Sequence, residues 1–191
     1  VLEAFGQTGY RGYLTFEYFH PYQHWPEALI HQTGDSLDRM LGRKSIALRP
    51  ASAADAELLH AWRNDERARR NFFDPAAVSF ADHLRWLEQC LRDPQRRLFI
   101  ALDQGAPAGC LRLDLRDHVA DISFYVNPER FGEGIGTGIL RAARDWTLAN
   151  LPGVRRLSGS VLESNRASHA AFAAAGYSRS HTVYSLALER R

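Results

Sequence analysis

Four glycines alternate through residues 132–138 (Gly132, Gly134, Gly136 and Gly138), between two segments of different period. Before them, VADISFYV (119–126) alternates polar and apolar residues as a half-buried strand does. After them, Ile135, Ile139, Ala143 and Trp146 recur at helical spacing. A strand must therefore pass into a long amphipathic helix through a segment nearly free of side chains. Backbone amides there can approach an anion with no Cβ in the way, and the positive end of a helix dipole lies behind them, which suits a pyrophosphate. The dinucleotide fingerprint does not fit. It needs Gly at positions one, three and six, and counting from Gly132 or Gly134 puts Thr137 or Ile139 sixth. The preceding strand also belongs to a meander, not to a parallel β-α-β unit.

The remaining elements follow from period and punctuation. SIALRP (45–50) reads as a strand, and Ser52 with Asp55 as the capping box of a helix whose apolar stripe is Leu58, Leu59 and Trp62. Ser79 with Asp82 opens a second helix, carrying Leu84, Leu87 and Leu91 and stopping at Pro94. RRLFIALD, PAGCLRLDLR and VADISFYV then make an antiparallel meander with tight connections. VRRLSGSVL (154–162) reads as a strand, and SNRASHAAFAAAG as a helix capped at Ser164 or Asn165 and ended by Gly176. The remainder closes with one or two strands. The order is β-α-α-β-β-β-α-β-α-β-β, an α/β (α+β) arrangement with a mixed, mostly antiparallel sheet flanked by helices.

Composition narrows the function classes. The 191 residues, 45% hydrophobic and 24% charged, suit one domain plus an appendage. Two cysteines, Cys90 and Cys110, lie in periodic apolar segments and read as buried thiols of a reducing, cytoplasmic location. Lys44 is the only lysine against 23 arginines, which argues against a P-loop or a Schiff-base lysine. There is no basic stripe with interleaved aromatics, so nucleic acid is not expected as a partner, and no apolar run long enough for a membrane span. Oligomeric state, a homodimer included, is left open.

The glycine segment resembles the acyl-CoA loop of the GCN5-related N-acetyltransferases (GNAT), whose pattern is Arg or Gln, two residues, Gly, one residue, then Gly or Ala. Phe131, Gly132, Glu133, Gly134, Ile135 and Gly136 stand in those places, with Phe131 where a polar residue is usual and Arg130 one place earlier as the substitute charge. A second motif, VLESNRASHAAFAAAGY, resembles the element that completes the CoA site. The resemblance covers residues 45 to 190 and implies the GNAT fold, with acetyl-CoA as cosubstrate and no metal. It implies that the loop from Arg130 to Thr137 takes the pyrophosphate, that Asn165 hydrogen-bonds pantetheine, and that Phe172 stands where many members carry an acid-donating Tyr. Direct attack by an amine on the thioester follows, with a backbone N–H near Tyr125 or Val126 facing the thioester oxygen and a bulge in the strand at 119–126 splaying it from 154–162.

For the proton, the alternation leaves Arg112 and Asp114 on one strand, and Asp121, Ser123 and Tyr125 on the next, facing one polar side of the sheet. Asp114 or Asp121 would take the proton directly or through water. WRNDERARRNFFDPAAVSFADHLRWL looks like the corresponding segment of acetyltransferases acting on nucleotide-linked amino sugars, which would put Arg69 and His83 on the nucleotide part of a small-molecule amine. The alternatives are an acetyltransferase for protein amino termini and a non-catalytic acyl-CoA-binding module.

Residues 1–43 differ in character. GYRGYLTFEYFHP and WPEALIHQTGDSLDRMLG resemble the last strand and helix of a xylose-isomerase-like barrel, in which the Glu matching Glu17 ligates a metal. Such a barrel needs on the order of 250 residues, so its metal site is not expected here. The chain reads as an appendage at 1–43 and an acetyltransferase domain at 44–191. Deleting residues 1–39 is expected to leave acetyl transfer largely intact; lost activity in a truncation that still unfolds cooperatively would assign the appendage to the site.

Overall fold

The structure, a computed structural model, describes residues 44–179. The appendage and the closing strands expected beyond Tyr177 therefore lie outside the described residues. β1 (Ile46–Pro50), β2 (Arg96–Asp103), β3 (Ala106–Arg116), β4 (Val119–Val126) and β5 (Arg156–Ser158) form one sheet in sequence order. The first three pairings are antiparallel and the last is parallel. Helices α1 (Ala56–Asn64), α2 (Glu66–Arg69) and α3 (Phe80–Arg92) separate β1 from β2. α4 (Ile135–Asn150) connects β4 to β5, and α5 (Arg166–Ala174) follows. This is the mixed, mostly antiparallel sheet with flanking helices that the sequence implies.

The local signals act where expected. Ser79 caps α3, its hydroxyl accepting from the Asp82 N–H at 3.1 Å and donating to the Asp82 carboxylate at 2.6 Å. At the other box the Ser52 N–H donates to Asp55 at 2.7 Å. Asp55 also takes two hydrogen bonds from Arg49, at 3.1 and 2.7 Å, which hold its carboxyl below the usual range and tie the end of β1 to the entry of α1. Gln104 and Gly105 join β2 to β3 with φ of 53° and 81°, the paired positive angles of a two-residue hairpin turn.

Two apolar clusters sit on the sheet. Phe99, Leu111, Leu113 and Ile122 pack with Ile135, Ile139, Leu140 and Ala143 of α4. On the opposite face Leu98, Ile100 and Cys110 pack with Leu59, Trp62, Leu87 and Cys90 of α1 and α3. This second cluster corrects the expectation of a polar sheet face, because α1 and α3 cover it and leave only its edge to Arg112 and Asp114. The expected stripe of α3 is also displaced. Leu84 and Leu91 are 42% and 40% exposed, whereas the buried row is His83, Leu87 and Cys90.

Two further expectations change. β3 and β4 keep one unbroken register from Gly109↔Val126 to Arg116↔Val119, so no bulge splays β4. The strand expected over 154–162 pairs only at 156–158. Its shortness has a local cause. A Cβ on Gly159 would stand 2.5 Å from the Phe172 ring, so at this glycine the chain is pressed against α5 as it leaves the sheet.

His83 is 2% exposed, packs against the His60 and Trp86 rings at 5.3 Å each, and its Nε2 has no hydrogen-bond partner among the described residues. Burial, then His60, hold its pKa below the ordinary value of 6.5. Since the unfolded chain binds this proton more readily, stability should fall as pH drops below about 6.5, by at most about 1.4 kcal/mol per unit. Urea unfolding between pH 5 and 7 should show the loss, and His83→Leu should flatten the slope.

Candidate functional site

β4 and β5 pair at Val119↔Arg156, Ala120↔Leu157 and Asp121↔Ser158, then part. From Ile122 to Val126 the edge of β4 that faces β5 therefore has no strand beside it among the described residues. Along that edge lies a cleft of about 560 Å³, bounded by β4, the glycine loop, the start of α5 and the segment after α2. The Asn127 N–H donates to Ala108 across the β3–β4 ladder at 2.8 Å. Alternation along an antiparallel strand then turns the backbone groups of Tyr125 toward β3 and those of Val126 and Phe124 toward the cleft. Of the two expected backbone donors, the geometry favours Val126.

The glycine loop closes one end. Gly134 caps α4 with φ of 78°, a left-handed conformation that a side chain disfavours, and the first helical bond runs from Gly138 N–H to the Gly134 carbonyl at 3.1 Å. The N–H groups of Ile135, Gly136 and Thr137 thus precede the first intrahelical bond and open at the cleft, with the positive end of a 16-residue helix behind them. Phe131 and Gly132 line the same end. Arg130 does so too, but its guanidinium is held by Asp103 and Glu133. Glu133 itself does not line the cleft.

α5 supplies the opposite wall. Asn165 caps it, its side-chain oxygen accepting from the Ser168 N–H at 3.0 Å, which leaves its amide N–H groups as donors. Phe172 lines the wall between Phe124, at 5.9 Å, and Tyr177, at 5.2 Å. Its ring carries no exchangeable proton. Tyr125 lines the floor with its hydroxyl 3.5 Å from the Leu59 carbonyl and its ring edge-on to Trp62 and Phe72. Burial raises its hydroxyl pKa far above the ordinary value, so the phenol stays protonated.

The carboxylates expected as bases lie elsewhere. Asp114 and Asp121 are cross-strand partners at the far end of the ladder, roughly 16 Å along β4 from Val126. Asp114 is paired with Arg96 at 3.2 Å and Arg112 at 2.9 Å, and Asp121 lies 4.0 Å from Arg116. Neither lines the cleft. His83 is buried between the His60 and Trp86 rings and does not line the cleft.

The fourth wall was not legible from motifs. Asn71, Phe72 and Phe73 enter the cleft from the segment between α2 and α3, and Phe73 is 67% exposed. This segment is gripped by its own backbone. Arg69 donates to the carbonyls of Asn64 and Pro75 at 3.1 Å each, and Arg63 to that of Asp74 at 2.9 Å, its guanidinium 4.4 Å over the Phe72 ring. Asn64 pairs with both the N–H and the carbonyl of Val78 at 2.8 Å. The only available signal was an aromatic pair before Asp74 and Pro75 between two helical patterns.

Electrically the cleft is plain. Among the described residues that line it there is no carboxylate and no imidazole, and Arg130 is the single charged side chain. No group of His, Cys, Asp and Glu that could hold a metal occurs among the described residues, and no helix there is long and apolar enough to cross a membrane.

Residues 45–178 match the family described as acetyltransferase (GNAT) domain. No curated protein matches the chain in sequence. Among solved structures, the aminoglycoside acetyltransferase AAC(6')-Ib in complex with ribostamycin and coenzyme A is 24% identical over 73% of this chain and 86% of its own, with a TM-score of 0.66. Spermidine N-acetyltransferase from Vibrio cholerae, in complex with CoA and spermine, is 20% identical over 77% and 89%, with a TM-score of 0.65. The ribosomal alpha-N-protein acetyltransferase RimL in complex with coenzyme A is 18% identical over 69% and 79%, with a TM-score of 0.60. At these identities the likeness establishes a shared fold.

Both cysteines are buried outside the cleft, and burial pushes the Cys110 thiol up to about 12 and the Cys90 thiol upward as well. Iodoacetamide at pH 8 should leave both unmodified in the native chain and label both in urea, read by intact mass. Rapid labelling of one thiol in the native protein would place a nucleophile within reach of the cleft.

Proposed function

The chain belongs to the GNAT acetyltransferase family and is an acetyl-CoA-dependent N-acetyltransferase, and from that premise we propose that its acceptor is the primary amine of a nucleotide-linked amino sugar. The observation that carries this reading is the charge of the cleft. Acceptors with several ammonium groups, or a peptide amino terminus, call for acidic walls, and none of the described lining residues is acidic. The exposed ring of Phe73 suits an acceptor whose far end bears a planar base.

In this reading the donor's diphosphate lies against the N–H groups of residues 135–137, and its pantetheine arm runs along the open edge of β4 toward Asn165, like an added strand. The amine nitrogen attacks the thioester carbonyl carbon. The Val126 N–H donates to the oxygen that gains charge, the carbon–sulfur bond breaks, and the thiolate takes a proton from water, since Phe172 has none to give. The ammonium proton leaves to water as well. Any role of Asp114 or Asp121 in accepting it runs through a water chain, because both sit far along the ladder. Arg69 acts from behind the acceptor wall by holding its backbone. His83 acts through the packing of α3.

A mass-shift screen with acetyl-CoA against amino-sugar nucleotides, polyamines and peptides with free amino termini tests the acceptor. Acetylation of peptides alone would replace this reading with the protein-terminus one. Arg69→Ala should release the Pro75 carbonyl, loosen the wall formed by Asn71, Phe72 and Phe73, and raise the acceptor's KM with little change in that for acetyl-CoA. Gly136→Val brings a side chain toward the Phe124 ring, which a Cβ would already meet at 3.3 Å, and should weaken acetyl-CoA binding in calorimetry.

A further inference from the structure

β2 ends on Asp103, whose carboxylate is only 5% exposed. A single oxygen, Oδ2, accepts from the Lys44 ammonium at 2.9 Å and from the Arg130 guanidinium at 2.5 Å. Arg130 also donates to Glu133 Oε2 through two nitrogens, at 3.1 and 2.7 Å, and Lys44 lies 3.6 Å from the same oxygen. Two cations and two carboxylates thus close a neutral cluster beneath the glycine loop. It contains the one charged side chain that lines the cleft among the described residues. Burial by itself would push Asp103 up, yet Lys44 and Arg130 together keep it below the usual range, so it is ionised in the folded chain.

The two acceptors of Arg130 are unequal. Asp103 belongs to a paired strand, opposite Ile46 on one side and Ala106 on the other. Glu133 is 41% exposed and stands between Gly132 and Gly134, whose φ angles are 86° and 78°. A diphosphate arriving at the loop competes with one of these carboxylates for the guanidinium. Releasing Asp103 would leave a buried charge with one partner fewer, which is costly. Releasing Glu133 returns an exposed carboxylate to water, which costs little.

We infer that Asp103 and Glu133 are positioning residues of opposite kind for the donor's diphosphate. Asp103 is the fixed anchor of Arg130, and Glu133 occupies the place on the guanidinium that a diphosphate oxygen takes over. This rests on the reading of the glycine loop as the diphosphate site. It goes beyond that reading in one respect: an acidic residue inside the loop weakens donor binding in the free enzyme and leaves Arg130 preset for the exchange.

The test uses the full chain and two donors, acetyl-CoA and S-acetyl-pantetheine, which lacks the diphosphate, with affinities from calorimetry and competition. Glu133→Gln should lower the acetyl-CoA Kd about twofold to fivefold. Asp103→Asn should raise it about tenfold or more. Neither should change the acetyl-pantetheine Kd, and in an Arg130→Ala background the effect of Glu133→Gln should vanish. Should Asp103→Asn not fold, Glu133→Gln decides alone, because its side chain is exposed. If Arg130→Ala weakens acetyl-CoA selectively while Glu133→Gln leaves it unchanged or weaker, the exchange is overturned and the diphosphate reading stands. If Arg130→Ala and Gly136→Val shift both donors alike, the diphosphate reading itself fails, and the exchange with it.

Discussion

The parting of β4 from β5 is the feature on which the site depends. Three residue pairs hold the two strands together, and beyond Asp121 and Ser158 the edge of β4 is left with its hydrogen-bonding groups facing a cleft. An open edge inside a protein is costly unless something pairs with it. Here the walls make it usable: α5 presses Phe172 against Gly159 and carries Asn165 to one side, while α4 begins at the other with its first amide groups unpaired. The cleft is thus a gap left in a sheet, held open by two helices that each end or begin beside it.

The rest of the molecule makes that gap stiff. α4 crosses one face of the sheet on Ile135, Ile139, Leu140 and Ala143, and α1 with α3 covers the other through Leu59, Trp62 and Leu87. Tyr125 belongs to both worlds. Its ring packs edge-on against Trp62 in the second cluster and against Phe72 in the acceptor wall. Core packing and the shape of the acceptor side are therefore coupled through one aromatic residue.

Much of this was legible in the sequence where a local rule decides the outcome. The capping residues Ser52 and Ser79, the turn at Gln104 and Gly105, and the change of period around Gly134 place the elements within a residue or two of where they lie. The loop, Asn165 and Phe172 come together at one cleft as the motif resemblance implies. What sequence could not show depends on which faces meet. Alternation correctly separated Asp114 and Asp121 from their apolar neighbours but could not tell that α1 and α3 cover that face, nor that both residues lie far from Val126 along the ladder. Helical spacing could not choose between the row through Leu84 and the row through His83, because a buried histidine looks polar in a pattern. The Phe72 and Phe73 wall carries no periodic signal at all, being a loop held by Arg63 and Arg69 through its main chain.

That loop is held in an unusual currency. Arg63, Arg69 and Asn64 bond to the main-chain groups of Asn64, Asp74, Pro75, Ala76 and Val78, not to the side chains that the loop presents to the cleft. Every residue type offers the same carbonyl, so the grip is indifferent to what stands at position 73, whereas Phe72 lies under the Arg63 guanidinium and against the Tyr125 ring. At Phe73 scaffold and displayed surface are thereby decoupled. New side chains at position 73 can be tried without forfeiting the shape that displays them, which makes it the place in the cleft where a changed side chain costs the fold least.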